Sequence, residues 1–131
     1  MKEEYIEFLL YCPSYYINQG YETRGQIKLE LTELKARIHS NEIGRHNRPH
    51  VHVDFKNNGF VCSIDSKIQI IEPEHCPIGI AKRIEYVIAE NLSKCRKEWN
   101  RCQTLIKFTE NEINFNKIQF KHDNNGINVI I

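Results

Sequence analysis

The sequence lacks the features that would place it among secreted, membrane-embedded or zinc-ribbon proteins. No stretch approaches the roughly 20 apolar residues that a membrane-spanning helix needs. The start, MKEEYIEFLL, carries acidic residues where a signal peptide has basic ones. The five cysteines are an odd number and form no CxxC pair, which argues against a disulfide framework and a zinc ribbon. We therefore expect reduced thiols in a cytoplasmic protein that does not enter a membrane.

An excess of charge of one sign is also missing. Lysines and arginines number 18 against 17 aspartates and glutamates, a net charge of +1, so attraction to a polyanion must come from a local patch. The chain has 131 residues, of which 40% are hydrophobic, which is the size and composition of one domain with one core.

Alternating apolar and polar residues predict strands on both sides of a helix. Residues 34–40 and 49–55 alternate with period two, and Asn57-Asn58-Gly59 predicts a hairpin turn at Asn58-Gly59 before a third strand. Asn124-Asn125-Gly126 predicts a second hairpin. Apolar residues spaced three and four apart predict one helix between them, with a stripe made by Ala81, Ile84, Ile88, Leu92, Cys95, Trp99 and Cys102.

This order of elements predicts an α+β fold. We expect an antiparallel sheet packed on one long helix, in which a meander of at least three strands is joined by C-terminal strands. Near the start, Ile6, Leu9 and Leu10 predict a short helix. The C-terminal strands are expected at Leu105–Phe108, Ile113–Phe120 and Ile127–Ile131.

The strand Pro49–Phe55 carries two histidines on one face. If the helix covers Val51 and Val53, then His50 and His52 point to the opposite face. A register slip of one residue would bury both histidines.

Neighbouring segments add to this face. The most natural hairpin registers predict these pairs: Arg37 with His52, His39 with His50, Lys35 with Asp54, Asp65 with His52, and Lys67 with His50. The loop of residues 41–48 joins the two central strands and carries Arg45, His46 and Arg48 above the same face.

The histidines suggest acid–base chemistry on a phosphodiester. Two imidazoles that titrate near neutral pH can act as general base and general acid, and a cation beside them would stabilise charge on phosphorus. We predict His50 and His52 as the catalytic pair, with Asp65 orienting His52 and with no cofactor. The residues expected to bind the phosphate or ligand are Arg37, His39, Arg45, His46 and Arg48.

Other interpretations of these residues stay open. Histidines at i and i+2 of a strand can share a zinc ion, with His39 or Asp65 as a third ligand beside His50 and His52. His-x-His alone is a weak motif, and such histidines often only face solvent. The rival from a different class is a non-catalytic module that binds a protein partner or a small ligand through the same face.

The stretch Arg48-Pro49-His50-Val51-His52-Val53 resembles the bacterial family called domain of unknown function 4160. That family has a similar strand ending in Ser-Asn, as Ser40-Asn41 here, then a short polar loop and Pro-Pro-His-Val-His-Val or Pro-His-Phe-His-Val. A strand, a helix and a late tryptophan follow, as Trp99 does here. Arg48 stands where the family often has a second proline.

The resemblance divides the single domain 1–131 into an N-terminal extension, 1–33, a family-like core, 34–104, and C-terminal strands, 105–131. Family members resemble the toxin half of predicted toxin–antitoxin pairs. The resemblance thus implies a bacterial or phage protein with a protein partner, either antitoxin-like or a subunit of a complex. Together with the histidines, it predicts a small nuclease-like or nucleotide-acting protein whose substrate is RNA or a nucleotide.

Overall fold

The computed structural model describes residues 5–12, 15–18, 26–29, 32–40, 48–103, 106–115 and 117–130. Its strands are β1 (Tyr5–Cys12), β2 (Tyr15–Asn18), β3 (Gln26–Leu29), β4 (Thr32–His39), β5 (His50–Phe55), β6 (Asn58–Ser63), β7 (Lys67–Ile68), β8 (Ile70–Glu72), β9 (Gln119–Asp123) and β10 (Gly126–Ile130). Its helices are α1 (Ile78–Glu90), α2 (Leu92–Cys102) and α3 (Glu110–Ile113). Over these residues the fold is α+β, as the sequence predicts.

An antiparallel sheet of five strands, in the order β1-β4-β5-β6-β8, forms the centre of the fold. A smaller sheet has the order β7-β10-β9, and β2 pairs with β3. Helices α1 and α2 cover one face of the large sheet. The core between them contains Ala36, Ile38, Val51, Val53, Cys62, Ile64, Ile84, Ile88, Leu92, Cys95 and Trp99.

The predicted inward face of the central hairpin is confirmed. Val51, Val53, Cys62 and Ile64 are fully buried, whereas Phe55 is half-buried and packs at the rim of the core. Successive side chains of a strand point to opposite faces of the sheet, so a strand covered on one face buries every second residue. The apolar residues identified in the sequence are the ones that face the core.

The prediction of one long helix is wrong in detail, because the helix breaks at Asn91. The Asn91 side chain donates to Val87 O at 2.8 Å and to Tyr11 O of β1 at 3.0 Å. A side-chain amide that bonds nearby backbone carbonyls offers an alternative to the helical hydrogen-bond ladder. Across the described ranges, neither these two helices nor α3 combines the length and apolar character that a bilayer crossing requires.

The turn between β5 and β6 lies at Lys56-Asn57 and not at Asn58-Gly59. Lys56 and Asn57 have φ of 51° and 66°, the left-handed conformation that a two-residue hairpin turn needs at both central positions. Val51 therefore lies opposite Cys62. The predicted register would have set Ser66 opposite Val51, whereas the observed register sets Cys62 there and Phe60 opposite Val53.

Two terminal regions differ from the sequence-based expectation. The predicted N-terminal helix is the strand β1, whose residues Ile6, Phe8 and Leu10 turn toward the core. In the C-terminal region, the described parts of the predicted strands Leu105–Phe108 and Ile113–Phe120 are strand only at residues 119–120, where β9 begins, and the helix α3 occupies Glu110–Ile113. Thr109 caps α3 by accepting from Glu112 N, and the Glu112 carboxylate accepts from Thr109 N, which together form a capping box.

The hairpin β9–β10 has the predicted turn before Gly126. Gly126 has a φ of 144°, which glycine adopts readily, and a Cβ atom at this position would lie 2.4 Å from Ile68 O of β7. Glycine thus lets β10 pair closely with β7, which lies in the chain between β6 and β8 of the large sheet.

Candidate functional site

The histidine face comprises Arg37, His39, His50, His52 and Asp54, on the side of β4 and β5 that faces away from the apolar core. Two predicted cross-strand pairs are confirmed, Arg37 opposite His52 and Lys35 opposite Asp54. The alternation that buries the valines of β5 is what presents these polar residues together.

Five aromatic rings form a continuous row that runs from this face to the apolar core. The ring centroids of His39 and His52 are 4.7 Å apart, and those of His52 and His50 are 5.2 Å apart. Tyr5 of β1 extends the row on the outer side, 5.6 Å from His39, and Trp99 of α2 closes it on the inner side, 5.6 Å from His50. The row brings together three of the four histidines that the sequence analysis assigned to this region.

His50 does not present its ring to solvent as predicted. The residue is 1% exposed, and its Nδ1 lies 2.6 Å from Arg48 O. A carbonyl oxygen only accepts, so Nδ1 carries the hydrogen of that bond. His39 and His52 are half-buried, and these two imidazoles are the accessible ones of the row.

Asp65 does not lie opposite His52. The shifted turn places Val61 there, and Asp65 follows the end of β6. Its carboxylate binds Arg48 in a bidentate pair, with Arg48 Nε and a terminal Arg48 nitrogen each donating at 2.8 Å. The same arginine donates to Lys67 O at 3.2 Å, so it ties the start of β5 to β7.

The Arg48–Asp65 pair shifts both pKa values in the direction that keeps it charged. The pKa of Arg48 is raised, chiefly by the hydrogen bond to Asp65. Burial acts to raise the pKa of Asp65, but the hydrogen bonds from Arg48 and from Lys67 N outweigh it, so the pKa of Asp65 is lowered. Arg48 is thus a residue of the scaffold as well as a neighbour of the histidine face.

We expect a double-mutant cycle of Arg48→Ala and Asp65→Ala to give a coupling free energy of about 1–2 kcal/mol at pH 7. Because the folded-state pKa of Asp65 lies below its unfolded value, this stabilisation is complete above the unfolded pKa and is lost as the pH falls through the folded pKa. Urea denaturation of the four proteins at neutral pH and at about pH 3 measures both effects. A coupling free energy that is absent at neutral pH, or unchanged in acid, would contradict the assignment of Arg48 and Asp65 as a stabilising ion pair.

Arg37 keeps hydrogen-bonding capacity toward a ligand. It donates to the Asp54 carboxylate at 3.2 Å and 3.5 Å, which uses two of the five guanidinium N–H groups. Both side chains are about a third exposed, so solvent screens the pair and an anion can compete for the guanidinium.

The remaining predicted site residues divide into two groups. Arg45 and His46 lie outside the described residues. Within the described part of the chain, no three His, Cys, Asp or Glu side chains are placed to hold a metal ion.

The sequence analysis did not identify Arg96, which binds the backbone next to Asp65 from the side of α2. This arginine of α2 is 2% exposed and donates to Ile64 O at 2.9 Å, Asp65 O at 2.8 Å and Glu112 O at 2.6 Å. Its guanidinium also lies 4.6 Å from the ring centroid of Phe108. No feature of the sequence separates it from the solvated arginines of the same helix.

A protein-family model matches the segment of the chain that carries the histidine face. Residues 34–100 match the family described as Domain of unknown function (DUF4160), which is half of the chain. The chain belongs to the DUF4160 family. This confirms the resemblance found in the sequence, over nearly the same residues.

The DUF4160 segment runs from Leu34 of β4 to Asn100 near the end of α2, and it includes Arg48, Asp65 and all five residues of the histidine face. Tyr5, α3 and the β9–β10 hairpin lie outside it. No curated protein and no solved structure matches the chain.

Proposed function

We propose that this DUF4160 protein cleaves RNA by metal-independent acid–base chemistry on the histidine face, with His39 and His52 as the acid–base pair. The observation that carries the proposal is the contact between these two half-buried imidazoles, at 4.7 Å, with Arg37 directly opposite His52. His52 keeps the role predicted from the sequence. His39 replaces His50, because a general acid or base must reach its substrate and His50 is enclosed.

The proposed step balances as a transesterification. One imidazole takes the proton of a ribose 2′-hydroxyl, the 2′-oxygen forms a bond to phosphorus, and the bond from phosphorus to the 5′-oxygen breaks. The other imidazole, as imidazolium, gives its proton to that 5′-oxygen. The guanidinium of Arg37 stabilises the additional negative charge on the phosphoryl oxygens. The products are a 2′,3′-cyclic phosphate and a 5′-hydroxyl, and no metal takes part.

Surrounding residues support this arrangement in different ways. His50 contacts the ring of His52 from inside, and its own ring is held by Arg48 O and Trp99. Arg45 and His46 are predicted to approach the phosphate from the loop of residues 41–48. The toxin role and the cytoplasmic location that follow from the sequence remain predictions of the same proposal.

The proposal predicts turnover of an RNA oligonucleotide but none of the DNA oligonucleotide of the same sequence, which has no 2′-hydroxyl. We expect the rate to depend on pH as a bell-shaped curve, since one imidazole must be neutral and the other charged. EDTA should leave the rate unchanged. Loss of activity in EDTA that zinc restores would replace acid–base chemistry by a metal mechanism, and the absence of turnover would favour a binding module.

A second function is favoured by exposed apolar side chains beside the histidine face. Tyr5 and Tyr11 of β1 are each 50% exposed and Leu9 is 36% exposed, and all three alternate onto the same side of the sheet. Aromatic residues are enriched where proteins bind partners. A module that docks an antitoxin-like protein would use this stripe, and it would tolerate His52→Gln with a modest loss of affinity.

A further inference from the structure

A cleft separate from the histidine face lies between α1, the β7–β8 segment and the β9–β10 turn. It encloses about 430 Å³, which is within the range of small-molecule sites. Its polar lining is rich in hydrogen-bond acceptors, contributed by Gln69, Glu74, Glu85, Asn124 and Asn125. None of the histidine-face residues lines it.

Glu85 is the buried charge of this cleft. The residue is 6% exposed, and its Oε2 accepts from Ile70 N of β8 at 3.3 Å. A carboxylate has about four acceptor positions, and this backbone bond uses one of them. A buried carboxylate needs a counter-charge to remain ionised, and a bound cation would supply it.

The cation that lines the cleft is already engaged. Lys67 Nζ lies 3.1 Å from Asp123 Oδ2, so this ion pair offsets part of its charge. Glu74 adds a second carboxylate to the lining, and Asn124 and Asn125 add side-chain amides, each with one acceptor oxygen and an NH2 donor. The cleft therefore presents acceptors and negative charge to whatever enters it.

We propose that this cleft binds a small ligand carrying a guanidinium or primary ammonium group, with Glu85 as its counter-charge. Both groups carry several N–H donors and no acceptor, which matches the lining. Charge-assisted hydrogen bonds to the Glu85 carboxylate would supply most of the affinity and the selectivity for cations over neutral molecules.

The pH dependence of binding follows from Glu85. Burial raises the pKa of Glu85 to about 7, against the opposing effects of the Ile70 N–H bond, Lys82 and Lys67 and with a further raising effect of Asp123. The other titratable groups of the lining are Lys67, Glu74 and Cys76. Since the ligand needs the ionised carboxylate, cation affinity should rise about tenfold between pH 6 and pH 8.

The test is a titration of the full chain, followed by amide NMR, with four probes of one length: n-butylguanidinium, n-butylammonium, n-butanol and butyrate. We expect the two cations to bind saturably, with shifts at Ile70, Asn124 and Asn125, and the neutral and anionic probes not to bind. Glu85→Gln, which keeps an acceptor for Ile70 N, should weaken the cations about tenfold or more. Glu90→Gln removes the same charge from an exposed position of α1 and should bind as wild type does.

Three results would overturn the cation site. They are the absence of saturable binding to the wild-type protein, equal binding of n-butanol, and a Glu85→Gln protein of native spectrum that binds the cations unchanged. If Glu85→Gln fails to fold, the pH titration of the wild type decides, because cation affinity that does not rise toward pH 8 excludes the Glu85 carboxylate as the counter-charge. Activity on RNA is not a readout here, so this result is independent of the proposed function.

Discussion

Replacing Arg96 by methionine is expected to lower the free energy of unfolding by about 3–5 kcal/mol. The arginine is enclosed, and three of its five N–H groups donate to backbone carbonyls, those of Ile64, Asp65 and Glu112. Methionine fills similar space but donates no hydrogen bond. Each carbonyl left buried without a partner costs about 1–3 kcal/mol, less whatever water enters to replace the guanidinium.

Two further variants separate the hydrogen bonds from the charge. Arg96→Lys keeps the charge but loses the planar fork that reaches several carbonyls at once, so we expect an intermediate loss of about 1–3 kcal/mol. Arg101→Met is the matched control on the same helix, because the Arg101 side chain is exposed and pairs with Glu98 one turn away. It should change stability by less than about 0.5 kcal/mol. Urea denaturation measures all three. A loss below about 1 kcal/mol for Arg96→Met would show that water replaces the guanidinium at little cost.

The central hairpin could be predicted from the sequence because one physical requirement decides it. A strand covered on one face must alternate, and Val51 and Val53 leave only one phase that buries apolar side chains. The β1 strand could not be assigned in the same way. Ile6 and Leu10 fit one face of a helix as well as one face of a strand, and only pairing with β4 settles the ambiguity.

The candidate site was predicted in part, and its errors have local causes. The predicted turn lay two residues later in the chain than the observed one, and this error gave Asp65 the wrong cross-strand partner. The residues of β6 were still assigned to the correct faces of the sheet, because the register was wrong by an even number of residues. The enclosure of His50 depends on Trp99, which is far away in the sequence and was assigned only to the core. The contact of Tyr5 with His39 could have been found from the alternation of β1, had that segment been interpreted as a strand.

The largest effect on activity is expected at His52. It lies at the centre of the ring row, in contact with both His39 and His50 and opposite Arg37, so it is the one imidazole that every version of the acid–base mechanism uses. Removing a general acid or base costs about 10²–10⁴-fold in rate. Because His52 is half-buried on a sheet face, His52→Gln should lower stability by no more than about 1 kcal/mol.

The most direct test of the central claim is the rate of RNA cleavage by His52→Gln beside His75→Gln. His75 is an exposed histidine of the segment before α1, outside the ring row, and it controls for the loss of one imidazole. We predict that His52→Gln folds and loses about 10²–10⁴-fold in rate, with one limb of the bell-shaped pH profile gone, while His75→Gln keeps the wild-type rate and profile. A folded His52→Gln protein that cleaves RNA at the rate of the wild type would contradict acid–base catalysis on the histidine face.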